Sequence, residues 1–137
     1  MLQPPDEPLP VTYDATPRGA VTFASTGGDG VHFSAAHGAS AAAIVMTVPM
    51  QFDRPNVVVG STLREFLSLG SAAGFYWLEQ LAYDYPSTVS ALAAGPTAEN
   101  DEAERQLTLL RKRFALTPWP DPKARLDELQ ALLPASP

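Results

Sequence analysis

The first half of the chain carries the apolar and polar patterns of four β-strands. Residues 21–24 and 31–34 alternate between apolar and polar side chains, and a glycine- and aspartate-rich stretch separates them. Two such runs around a short turn are typical of a β-hairpin. Residues 44–48 and 56–60 are instead apolar at nearly every position, as in strands covered on both faces. We therefore expect the last two strands at the centre of the sheet and the first two at its periphery.

Helical patterns follow the strands. Thr62 and Glu65 have the spacing of a capping box, in which each side chain bonds the other residue's backbone N–H, and this predicts the start of a helix. Gly70 stands where a left-handed residue would end that helix. A second helical segment is expected to start near Ser71, and Pro86 can open a third, short helix.

The clearest helical pattern lies near the C-terminal end. Residues 98–116 place four apolar side chains on one face, and acidic residues precede basic ones, as the helix dipole favours. Asp121, followed by a proline, predicts the start of a last helix. The predicted fold class is α+β, a mostly antiparallel sheet of about four or more strands with C-terminal helices packed on it. We expect one domain over residues 21–137, preceded by an extended or disordered proline-rich arm over residues 1–20.

Composition and charge remove several classes of function. The 137 residues are 45% apolar and include no cysteine, which excludes disulfides, thiolate zinc sites and cysteine nucleophiles. Fifteen acidic residues against nine basic ones give a net charge of -6, which argues against nucleic acid as the main partner. The longest apolar run, residues 41–46, is far too short to span a membrane, and the first residues lack the pattern of a secretory signal. We therefore expect a cytoplasmic protein that has no membrane partner.

The most conspicuous motif is the glycine- and aspartate-rich turn at residues 27–30. Its glycines allow a sharp bend and the close approach of another backbone. It is not a phosphate-binding loop, because such a loop ends in a lysine and leads into a helix, and neither follows here. With only two histidines in the chain, we expect no metal and no cofactor. An enzyme pocket would have to draw on Asp29, His32 and Glu79, and it requires that these side chains converge.

A dense aromatic group follows the predicted sheet. Its members are Phe75, Tyr76, Trp77, Tyr83 and Tyr85. They cover more than one face of a helix, so some of the rings must lie outside the core. Packing of the helix against the sheet is one interpretation of this group. The other is a binding surface, because tyrosine and tryptophan are favoured at the hot spots of protein interfaces.

The order of these features over residues 21–92 resembles the SUKH superfamily. A strand ending in the glycine-aspartate turn is followed by a strand through His32 and Phe33, by the two apolar strands, and by a helix that contains Glu65-Phe66-Leu67. The resemblance implies a small α+β domain with a mostly antiparallel sheet, and protein binding as its activity. Many bacterial members are immunity proteins that neutralise polymorphic toxins, often nucleases, and the family offers no catalytic residues to carry over.

The sequence therefore predicts a non-enzymatic protein-binding domain with a toxin as the candidate partner. An acidic inhibitor can be steered electrostatically onto the basic active site of a nuclease. The predicted binding residues are Gly27, Gly28, Asp29, Gly30, Asp53, Tyr76, Trp77 and Tyr83. Two alternatives stay open. One is a small enzyme or ligand-binding domain with a pocket around His32, Asp29 and Glu79, and the other is an oligomerising module that uses the helix at residues 98–116.

Overall fold

Four strands form one antiparallel sheet in the computed structural model, which describes residues 19–26, 29–37, 42–94 and 100–132. The strands are β1 (Val21–Ser25), β2 (His32–His37), β3 (Ala42–Thr47) and β4 (Asn56–Gly60). Each strand pairs with the next along the chain, so the order in the sheet is β1-β2-β3-β4. The hairpin and the four strands predicted from the sequence are confirmed, although their positions in the sheet differ from the prediction.

The order places β2 and β3 at the centre and β4 at an edge. The expectation that residues 56–60 form a central strand and residues 31–34 a peripheral one is therefore wrong. β4 is nonetheless buried from Val57 to Gly60, because helices pack against it and one of them lies along its outer edge. The Gln130 side chain on that helix completes the strand: its Nε2 donates to the Val58 carbonyl oxygen (2.9 Å), and its Oε1 accepts from the Val58 N–H (2.9 Å). One side-chain amide thus satisfies backbone groups that a further strand would pair.

Helices make up most of the remaining chain and confirm the α+β class. They are α1 (Leu63–Ala73), a 3₁₀ turn (Trp77–Glu79) that runs directly into α2 (Gln80–Tyr83), α3 (Tyr85–Ala93), α4 (Asp101–Phe114) and α5 (Pro122–Gln130). The side chains of Thr62, Asp84, Asn100 and Asp121 each accept a backbone hydrogen bond at a helix start, which satisfies donors that the helix itself leaves open. Within the described ranges, every helix is too short or too polar to cross a bilayer.

Helix α1 does not end at Gly70, and no second segment starts at Ser71. The helix continues to Ala73, and Gly74, at φ 96°, follows its last residue. Gly70 is buried inside α1 because the Phe75 ring lies over it. A Cβ at this position would sit 2.0 Å from Cε1 of Phe75. Gly70 is therefore needed because the Phe75 ring packs closely against it, whereas the sequence predicted a glycine with a left-handed backbone at the end of the helix.

Two apolar clusters lie on opposite faces of the sheet. The first is centred on Phe66 of α1, which is fully buried and whose ring centroid lies 4.8 Å from Phe33, 5.4 Å from Phe75 and 6.0 Å from Phe23. The second, smaller cluster includes Val45, Val58 and Leu129. Leu126 belongs to the first cluster and Leu129 to the second, so α5 contributes to both where it follows the edge of β4.

Candidate functional site

Two turns leave the sheet at the same end. In an antiparallel meander the β1–β2 connection and the β3–β4 connection must lie on one side, and the last cross-strand row before them is Ser25, His32, Thr47 and Asn56. Nε2 of Gln51, in the second turn, donates to the Ala82 carbonyl oxygen of α2 (3.3 Å). The two turns and α2 therefore meet at this end of the sheet.

The helical stretch beside the turns presents one face to solvent. Tyr76, Glu79 and Tyr83 are spaced by three and four residues, which places them on a common helical face. Tyr76 is 49% exposed and Tyr83 is 45% exposed. Each ring therefore has a large apolar area that a partner could cover. Trp77 points away from this face and is half-buried against the first apolar cluster.

Asp29, in the first turn, completes an acidic group with this face. Partial burial and the negative charge of Asp29 together raise the pKa of the Glu79 carboxyl above its usual value. Desolvation, followed by the charges of Glu79 and Asp29, raises the pKa of the Tyr83 hydroxyl. Asp29 therefore lies close enough to both side chains to act on them electrostatically.

The second turn adds exposed apolar side chains. Phe52 is 84% exposed and Met50 is 57% exposed, and Asp53 beside them is also exposed. We call the whole set the sheet-end surface; it consists of Asp29, Met50, Phe52, Asp53, Tyr76, Glu79 and Tyr83. Among the described residues, none of its three carboxylates forms an ion pair, whereas Glu65, Glu102, Glu104, Asp127 and Glu128 all do.

The structure brings together most of the residues that the sequence singled out for binding. The charge of Asp29 acts on Tyr83, Tyr76 lies on the same helical face as Tyr83, and Asp53 lies in the adjoining turn. Asp29 and Gly30 have φ of 52° and 75°, so a left-handed turn presents the Asp29 carboxylate. Gly27 and Gly28 lie outside the described residues. Sequence reasoning missed Phe52 and Met50, whose signal was two large apolar side chains within a turn that contains two prolines.

His32 does not join Asp29 and Glu79 in a pocket. Its neighbours Val31 and Phe33 belong to the first apolar cluster, so alternation directs His32 to the opposite face of the sheet, away from the helix that carries Glu79. There it is 2% exposed, and its Nδ1–H donates to the Gly30 carbonyl oxygen (2.8 Å). Within the part of the chain that the structure describes, no three His, Asp or Glu side chains are placed to hold a metal ion.

The burial of His32 predicts a loss of stability in mild acid. Burial lowers the pKa of His32 below 6.5, and the hydrogen bond to Gly30 offsets only part of this effect. The unfolded chain therefore takes up this proton more readily than the folded one, and the free energy of unfolding falls as the pH drops from 6.5 towards the folded pKa. Urea unfolding between about pH 7.5 and 5.5, above the range in which ordinary carboxylates titrate, measures the effect. His32→Gln should flatten this pH dependence, and an unchanged slope in the variant would assign it to other groups.

A groove of about 510 Å³ lies elsewhere on the molecule, between the first turns of α1 and α5 and beside residues 117–121. Glu65 organises it. Nε of Arg125 donates to Glu65 Oε2 (2.7 Å), Nη2 of Arg125 donates to Oε1 (3.1 Å), and the Ser61 N–H donates to Oε1 (2.7 Å). The Glu65 carboxylate thus bonds Ser61 and not the Thr62 N–H of the predicted capping box, while Thr62 accepts from the Glu65 N–H as predicted.

These bonds set the charge state of the groove. Burial alone would raise the pKa of Glu65, but the hydrogen bonds from Arg125 and Ser61 outweigh burial and hold the pKa of that carboxyl below its usual value. Nε1–H of Trp119 donates to the Glu65 backbone oxygen (3.0 Å) and fixes the indole at the groove. The ionised carboxylate of Glu65 therefore ties α1 to α5, and its backbone oxygen ties α1 to the connection that carries Trp119.

Comparisons with models of protein families, with curated proteins and with solved structures found no match. The proposed function below therefore rests on the sequence and on the geometry of the chain.

Proposed function

We propose that this chain is a non-enzymatic protein-binding domain that recognises its partner through the sheet-end surface. In line with the SUKH resemblance, the partner is a basic toxin, such as a nuclease, which the chain neutralises in the bacterial cytoplasm by covering it. The observation that carries this proposal is that exposed rings lie at one end of the sheet together with carboxylates that form no ion pair with any other described residue.

The apolar part of the surface supports a protein partner. Phe52, Met50, Tyr76 and Tyr83 are all 45% exposed or more, and they are contributed by two adjoining segments. Large exposed side chains gathered in one area are typical of interaction sites, and tyrosine is enriched among residues whose truncation weakens binding most. Since Gln51 of the second turn is hydrogen-bonded to α2, the backbone that carries Met50 and Phe52 is already held in place before a partner binds.

The acidic part supports a basic partner. Asp29, Asp53 and Glu79 have no cation paired with them in the described part of the chain, and partial burial, followed by repulsion from Asp29, raises the pKa of the Glu79 carboxyl. A lysine or arginine brought between Asp29 and Glu79 would relieve this repulsion. The net charge of -6 would also speed the encounter with a positively charged protein, with a rate that falls as salt is added.

Substitutions on the sheet-end surface test the proposal. We expect Tyr83→Ala and Glu79→Lys each to weaken the complex with the partner by about tenfold, through lost contact area and through reversed charge respectively. The partner is first isolated with the wild-type chain, and its affinity for each variant is then measured by calorimetry. Glu102→Lys on α4 is the matched control, because it makes the same charge change at an exposed site away from the surface.

The immunity role has its own readout. The isolated partner should inhibit growth when it is produced alone in bacteria, and co-production of the wild-type chain or of Glu102→Lys should restore growth, whereas Glu79→Lys should not. If the two lysine variants bind and protect equally well, recognition does not occur at the sheet-end surface. If the partner is harmless to cells, the toxin part of the proposal is wrong.

A further inference from the structure

We propose that a second copy of this chain docks on the sheet-end surface through a basic patch at the opposite end of the molecule, so that copies associate head to tail. The patch, which we call the basic end, consists of Leu63 and Arg64 at the start of α1 and of Lys112, Arg113 and Phe114 at the end of α4. This inference rests on the sheet-end surface of the proposed function and adds a second occupant, which competes there with the basic partner.

The sheet separates the two surfaces. β4 leaves the second turn at Asn56, in the row next to the sheet-end surface, and ends at Gly60, about 13 Å further along at 3.3 Å per residue. α1 begins just beyond this end of the sheet, and Nη2 of Arg64 donates to the Ala115 carbonyl oxygen (2.7 Å), which joins the end of α4 to the start of α1. The two surfaces therefore meet between molecules and not within one.

The basic end carries cations without ion pairs. Among the described residues its three basic side chains form none, although four of the other five do. Arg64 also lines the groove at α5, together with three acidic side chains. Two of these, Glu65 and Glu128, are paired with Arg125, and the third caps the start of α5. Lys112 and Arg113 do not line that groove, so the excess positive charge is centred on the end of α4.

Exposed apolar side chains accompany the charges on both surfaces. Leu63 is 52% exposed and Phe114 is 48% exposed at the basic end, while Met50 and Phe52 are exposed beside the carboxylates of the sheet-end surface. Large exposed apolar side chains gathered in one area mark interaction sites. When these two surfaces meet, they cover apolar area and bring opposite charges together at the same time.

Charge favours a second copy over nucleic acid as the occupant of the basic end. Three cations are few for binding phosphates, which would also meet the net charge of -6 of the whole chain. The sheet-end surface instead carries Asp29, Asp53 and Glu79, and Arg54 is the cation that the second turn adds beside them. Because every copy has both surfaces, each contact leaves one surface of either kind free for the next copy. Repulsion between copies of net charge -6 keeps this association weak.

The mass of the full chain in solution, measured by sedimentation equilibrium, tests the association. We expect the weight-average mass to rise above the 14.6 kDa of the monomer as the concentration approaches about 1 mM, where weak contacts become occupied. Arg113→Glu should weaken the association at least about threefold, whereas Arg105→Glu should leave it unchanged. Arg105 is the matched control, because it is an exposed arginine on the same helix, about two turns before the basic end.

Glu79→Lys separates a specific contact from a general effect of net charge. This variant makes the chain less negative and so reduces the repulsion between copies, yet it should weaken the association at least about threefold because it reverses a charge in the contact. An equal mixture of Glu79→Lys and Arg113→Glu should associate again. Between unlike copies in this mixture, each contact is either native or reversed on both sides.

The remaining outcomes overturn the inference. If the mass stays at the monomer value, copies do not associate. If Arg105→Glu weakens the association as much as Arg113→Glu does, or if the mixture gains nothing, the contact does not join these two surfaces. If the chain stays monomeric and Arg113→Glu abolishes binding to a DNA oligonucleotide, the basic end is a nucleic-acid site.

Affinity for the isolated partner distinguishes this inference from the proposed function. Arg113→Glu should bind the partner as the wild-type chain does, because the basic end lies away from the sheet-end surface. If Glu79→Lys loses self-association and keeps its affinity for the partner, the proposed function is wrong and the head-to-tail contact stands. If it loses the partner and keeps self-association, the reverse holds.

Discussion

Phe66→Ala is expected to lower the free energy of unfolding by about 3–5 kcal/mol, the usual cost of truncating a buried aromatic side chain. Phe66 is fully buried, and its ring contacts three other phenylalanine rings, from β1, β2 and the residue after Gly74. Small domains are stable by only about 5–15 kcal/mol, so a large share of the total is at stake. Urea unfolding followed by circular dichroism measures the loss.

Phe114→Ala is the matched control for this substitution. Phe114 is also a helical phenylalanine, but it is 48% exposed at the end of α4, and its truncation should cost about 0.5 kcal/mol or less. Phe66→Leu retains most of the apolar volume and gives a measurable intermediate if the alanine variant does not fold. Equal losses for Phe66→Ala and Phe114→Ala would contradict the central position of Phe66.

Gly70→Ala should destabilise the chain by up to about 3 kcal/mol, although alanine is the better helix former. The added Cβ would lie 2.0 Å from Cε1 and 2.2 Å from Cδ1 of Phe75, whose ring is itself buried. The cost should shrink in a Phe75→Leu background, because the smaller side chain leaves room for the methyl group. A double-mutant cycle of the four proteins, unfolded in urea, measures this coupling.

The cycle also separates two explanations of the same glycine. If Gly70 were required for a left-handed backbone, alanine would be costly whatever residue stood at position 75, and the two substitutions would be additive. A coupling close to zero would therefore contradict the packing explanation.

Local patterns predicted the elements of this fold well, but they did not predict how the elements are placed. Thr62 and Asp121 start the helices that they were expected to start, because a cap acts within a few residues of its own position. The edge position of β4 could not be predicted, because the apolar run at residues 56–60 would be the same whether another strand or a helix covered the outer edge of β4. What covers the edge is decided by Gln130, 72 residues further along the chain.

The candidate site shows the same division. Tyr76, Glu79 and Tyr83 follow from helical spacing, but their approach to Asp29 depends on tertiary contacts between α2 and the turns. His32 and Asp29 are close in sequence, and only the alternation of β2 sends His32 to the other face of the sheet. The groove at Trp119 was not predicted at all. The ion pair between Glu65 and Arg125 that organises it joins residues 60 positions apart, and no sequence motif links the two.

The pairing of Gln130 with Val58 has a consequence for synthesis on the ribosome. The four strands can emerge and pair among themselves, but the outer edge of β4 must wait for 72 more residues before the glutamine reaches it. At about 5–20 residues per second this interval is several seconds. Throughout that time the nascent sheet offers an open strand to any neighbouring chain, which is how edge-to-edge aggregates begin. Protection by a ribosome-associated chaperone would therefore matter most in the interval before α5 is made.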